Sequence, residues 1–75
     1  MDKVYEQKNI FIRGKLLQLV QAIDKDVLRL DYRLHKTGEE TVTIVYLTSC
    51  GEHFKPVNVT GDSLSALTRD VLKYI

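Results

Sequence analysis

The 75-residue chain has a single cysteine and a single proline. One cysteine excludes an intrachain disulfide, so packing has to hold the fold together. The scarcity of proline, beside 44% hydrophobic residues, argues for a folded domain over a disordered segment. No apolar run is long enough to span a bilayer and no secretory pattern is present, so the expected compartment is cytoplasmic and no membrane partner is expected. An excess of one charge is also missing. Eleven basic residues stand against 10 acidic ones, a net of +1, which removes any global attraction to nucleic acid. The glycines are isolated and none forms a phosphate-cradling loop. With no repeat, linker or low-complexity stretch, one domain over 1–75 is expected, burying only roughly 60% of the surface of the unfolded chain.

What the chain does contain is alternation. From Val27 to His35, Leu28, Leu30, Tyr32 and Leu34 interleave with Arg29, Asp31 and Arg33, the pattern of a half-buried strand. Lys36-Thr37-Gly38 reads as a three-residue hairpin loop with glycine where φ must be positive. That loop sets His35 opposite Glu39 and pairs Tyr32 with Val42, Leu30 with Ile44 and Leu28 with Tyr46, every strand pair apolar. Ser49-Cys50-Gly51 repeats the arrangement, and the same count pairs Tyr46 with Phe54 and Ile44 with Pro56. Pro56 places the third strand on an edge.

Helices flank this meander. Residues 2–24 read as one helix with a stripe of Tyr5, Ile12, Leu16, Leu19 and Ile23 facing the sheet. Ile10, Gly14 and Leu17 point the other way, and glycine inside a helix costs about 1 kcal/mol relative to alanine. Three explanations stand: the second helix packs along Ile10, Gly14 and Leu17, a homodimer seam runs through them, or the helix starts only near Arg13. The second helix is expected over residues 63–75, capped by Thr60 or Asp62, with Leu64, Leu67, Val71 and Ile75 as its stripe. The fold class is therefore α+β, a two-layer αβββα arrangement with both helices on one face of a three-stranded antiparallel sheet.

Catalytic and metal chemistry find little support. Cys50 and His53 lie close in sequence, but the remaining histidine, His35, belongs at the far end of the meander, and structural zinc needs about four ligands. Asp24 with Asp26 and Glu39 with Glu40 fall in turns, where acids are expected as solvated residues. No catalytic residue, cofactor, metal or small-molecule ligand is expected, and the protein reads as a non-enzyme. The order helix, three strands, helix is similar to that of double-stranded RNA-binding domains. Those grip phosphates from the start of the second helix, where this chain has Gly61-Asp62-Ser63 with an acid.

The outer face of the sheet, left uncovered by the helices, is the expected working surface. Val27, Val45, Leu47 and Val57 are placed there, bordered by Arg29, Arg33 and Lys55, an apolar patch with a polar rim. The expected partner is another protein or a second copy, with nucleic acid held by the basic residues as the alternative.

Overall fold

The computed structural model describes residues 3–75. Its elements run α1 (Lys3–Phe11), a π-helical segment (Ile12–Leu16), α2 (Leu17–Ile23), β1 (Val27–Leu34), β2 (Glu40–Thr48), β3 (Gly51–Asn58) and α3 (Leu64–Leu72). The strands form one antiparallel sheet in the order β1-β2-β3, and the layout is the expected αβββα. The first residue of the expected N-terminal helix, Asp2, lies outside the described residues.

Helix runs unbroken through Gly14, but with a changed pitch. The Leu17 N–H reaches Ile12 O, five residues back. A π turn takes up one residue more than an α turn, so everything beyond it is rotated by one residue's arc, about 100°. Leu19 and Ile23 are carried off the sheet and are 44% and 60% exposed, while Val20 is fully buried in line with Ile12 and Leu16. The expected stripe is thus corrected in its second half. Packing of the second helix along Ile10, Gly14 and Leu17 does not occur either. Ile10 is 73% exposed, a Cβ built on Gly14 meets nothing within 4 Å, and only Leu17 is partly buried against the core. α3 is only nine residues long and sends Leu67 and Val71 straight to the common core.

The first hairpin forms as its residues dictate. The Gly38 N–H donates to His35 O, Gly38 takes φ 92°, and the His35 N–H meets Glu39 O at 2.8 Å. Tyr32 pairs with Val42 and Leu30 with Ile44. A bulge then intervenes. Leu28 and Arg29 both stand opposite Val45, and it is Val27 that pairs with Tyr46. Val27 is therefore in the core and Leu28 is 40% exposed, the reverse of their expected positions.

The second hairpin is shorter by one residue. Thr48 pairs with Gly51 across a two-residue loop, so Tyr46 meets His53, Val45 meets Phe54 and Ile44 meets Lys55. Thr48 Oγ1 holds this tight turn by accepting from the Cys50 N–H at 3.2 Å and donating to Gly51 O at 3.1 Å. A one-residue slip turns every side chain of β3 over. The alternation of Val57 and Val59 decides the outcome: both are buried in the core, whereas the expected register would have sent Phe54 and Pro56 inward in their place.

One cluster joins the two layers: Ile12, Leu16 and Val20 from the long helix, Val27, Leu30, Val42, Ile44, Val57 and Val59 from the meander and its exit, and Leu67 and Val71 from α3. Ser63, rather than Thr60 or Asp62, caps α3 by accepting from the Ala66 N–H at 3.2 Å.

Candidate protein-binding surface

Register alone determines what the far side of the sheet displays. Alternate residues of β2 that do not enter the core are Thr41, Thr43, Val45 and Leu47. Opposite them stand Arg29, Asp31 and Arg33 on β1 and Glu52, Phe54, Pro56 and Asn58 on β3. Val45, flanked by Arg29 and Phe54, is fully buried without joining the core cluster. Around it, Phe54 is 60% exposed and Leu47 51%. With Leu28 from the bulge, these form an apolar patch that nothing in the described chain covers.

Of the residues assigned to this surface from sequence, Val45, Leu47, Arg29 and Arg33 are brought together. Val27 and Val57 are not. They lie in the core, Val27 because of the bulge and Val57 because of the shorter second turn. Lys55 also moves to the core-facing side, where its ammonium sits 5.1 Å from the centre of the Tyr74 ring. His53 goes with it, its ring stacked on Tyr46 at 5.8 Å. Phe54, expected in the core, is the residue that sequence reasoning missed. The signal that could have found it was the pair Val57 and Val59, whose alternation leaves Phe54 facing outward.

Charge divides the surface in two. The Arg29 guanidinium lies 3.1 Å from Asp31 Oδ2 and 3.5 Å from Glu52 Oε1, and all three side chains are about half exposed. Such pairs add little stability, but they neutralise that end. Arg33 and Arg13 make no ion pair among the described residues. They border a hollow of about 400 Å³ whose other walls are Asp31, Tyr32, Thr43 and Phe54. The surface is therefore apolar in the middle, neutral at one end and basic at the other.

Ionisable groups gather at one further place, inside the fold. Glu40 is 3% exposed and Lys8 7%. Lys8 Nζ donates to Glu40 Oε1 at 2.7 Å, the Tyr32 hydroxyl donates to the same oxygen at 2.6 Å, and the Gly61 N–H donates to Oε2 at 2.9 Å. Glu40 N–H in turn donates to Thr60 Oγ1. Burial by itself raises the Glu40 carboxyl, but the hydrogen bonds from Lys8, Tyr32 and Gly61 outweigh it and hold the group below the usual carboxylate range. Burial, then the bond to Glu40, pushes the Tyr32 phenol far above its ordinary value. Glu40 was expected to be solvated in a turn. Its place is set instead by strand alternation, since it shares a face with Val42 and Ile44. Each member is engaged by another, so the cluster clamps the long helix, β1, β2 and the entry to α3 together.

Cys50 is exposed in the second turn. Among the described residues no group of three or more histidine, cysteine or acidic side chains is placed to hold a metal, and no helix is long and apolar enough to cross a membrane. Comparison with protein-family models, curated proteins and solved structures finds no match for this chain.

Proposed function

We propose that the protein is a non-enzymatic interaction module that docks a protein segment on the outer face of its sheet. The observation that carries this is the uncovered patch of Phe54, Leu47 and Leu28 around Val45. Exposed apolar area with a polar rim is the usual signature of a binding surface, and a buried aromatic anchor is the usual centre of its energy. The charge layout defines the occupant further. It is a segment with apolar side chains for the patch and a carboxylate toward Arg33 and Arg13, since Arg29 is already answered by Asp31 and Glu52.

Selection of displayed random peptides on the folded protein tests this. The expected binders are apolar with an acidic residue, they shift the amide resonances of Val45, Leu47 and Phe54, and Phe54→Glu weakens them by at least tenfold without changing the unfolding midpoint. Binders that shift resonances elsewhere, or that tolerate Phe54→Glu, would refute the proposal.

One observation favours nucleic acid as the second reading: Phe54, an exposed aromatic, stands beside the basic end formed by Arg13 and Arg33. Against it, the basic border of Arg29, Arg33 and Lys55 is dispersed, with Arg29 paired to Asp31 and Glu52 and Lys55 over Tyr74. Titration with a single-stranded oligonucleotide decides between the two. Affinity that falls steeply with salt belongs to phosphate contacts, and an apolar interface is nearly indifferent to it.

A further inference from the structure

Among the described residues no contact calls for glycine at position 14. Its backbone is not among those with positive φ, a Cβ there meets nothing within 4 Å, and glycine in a helix interior is costly. The same position lies in the middle of the π-helical segment, a distortion that recurs at functional sites. One turn earlier on the same side, Ile10 projects into solvent with 73% exposure, the highest of any large apolar side chain among the described residues. Between and around them Gln7, Ile10, Phe11, Gly14 and Lys15 line an open, mainly apolar hollow of about 310 Å³.

A knob and a vacancy four residues apart on one helix face fit each other. We infer that a second copy of this chain occupies the hollow, in an antiparallel helix pair in which Ile10 of each copy enters the space beside Gly14 of the other. A two-fold interface requires that if one residue contacts another, the second contacts the first, and Ile10 with Gly14 meets that condition about an axis near Ile12. The charges agree. Glu6 lies before the seam and Lys15, which lines the hollow, lies after it, and neither makes an ion pair among the described residues. Antiparallel pairing sets the Glu6 of each copy toward the Lys15 of the other, where a parallel pair would oppose like to like. The seam is on the helix side of the molecule, so a dimer leaves the outer sheet face free for its separate partner.

Sedimentation equilibrium of the full chain over a wide concentration series is the test. The expected result is a reversible monomer–dimer equilibrium reaching about twice the 8.6 kDa chain mass. Gly14→Leu fills the hollow and is expected to weaken association at least tenfold. Because no described residue lies within 4 Å of a Cβ there and leucine favours helix over glycine, the same substitution is expected to raise the unfolding midpoint of the monomer, which separates lost pairing from lost folding. Ile10→Arg is expected to weaken association equally, and Phe54→Glu to leave it unchanged. A chain that stays monomeric at every concentration overturns the inference, as does a dimer that survives Gly14→Leu and Ile10→Arg or is broken by Phe54→Glu.

Discussion

The two hairpins of the meander are written almost alike and fold differently. Lys36-Thr37-Gly38 and Ser49-Cys50-Gly51 both close on a glycine with positive φ, at 92° and 114°, and both are followed by glutamate. The first is a three-residue loop and the second a two-residue one. What separates them lies outside the turn triplet. Ahead of the second loop stands Thr48, whose hydroxyl engages the Cys50 N–H and Gly51 O. Beyond it come Val57 and Val59, whose burial sets the parity of β3. The difference teaches that glycine announces a turn, while the burial of the strands decides how many residues the turn holds.

Glu40, two residues past Gly38, and Glu52, directly after Gly51, make the sharpest contrast. Glu40 is enclosed by three donors to its carboxylate, whereas Glu52 is half exposed and touches Arg29 at 3.5 Å. Glu40→Ala is expected to have the largest effect. Leaving Lys8 buried and unpaired costs about 3–5 kcal/mol, measured by denaturant unfolding, and a loss under 1 kcal/mol would mean that water reaches the clamp. The sign of the pH dependence follows from the depressed carboxyl. Its stabilisation is complete above the unfolded value near 4.5 and is lost as pH falls through the lower folded value. Asp62 works in the opposite sense: the neighbouring Asp70 carboxyl, then burial, raises it, so its contribution is present at low pH and lost as pH rises through the folded value. The difference between wild type and Glu40→Gln isolates the Glu40 part, and the variant is expected to show the shallower acid slope.

Thr48→Val comes next. Removing the two hydrogen bonds of its hydroxyl costs about 1 kcal/mol and loosens the second hairpin alone, so amide exchange should quicken across Val45 and Phe54 and stay slow across Tyr32 and Val42. Uniform quickening in both hairpins would show that the turn hydroxyl does not set local stability. Glu52→Ala is expected to change the least, within about 0.5 kcal/mol, since an exposed pair contributes little. A larger loss would make the Arg29 network a structural element of the sheet.

Much of the architecture was legible in the residues, because periodicity reports which face is buried. The helix, meander and helix, the first hairpin and the pairs Tyr32 with Val42 and Leu30 with Ile44 follow from alternation alone. The rest depends on interactions that one strand or one turn does not contain. Leu28 leaves the core because a bulge admits Val27 in its place, and Leu19 yields to Val20 because the helix takes up a residue at its π turn. The candidate surface inherited both kinds of error. Val45 and Leu47 were read correctly from β2, the central strand, while Val57, Lys55 and Phe54 were inverted together by one residue of loop length. Lys8 was the overlooked partner, four residues ahead of Ile12 in the line that continues through Leu16 and Val20.

A sheet of three strands has two free edges, and each carries an interruption. The bulge at Leu28 breaks the even ladder of β1, and Pro56 takes a backbone donor out of β3. Both are devices that discourage a further strand from adding on. Open-ended stacking of strands into aggregates is thereby hindered on either side of the sheet.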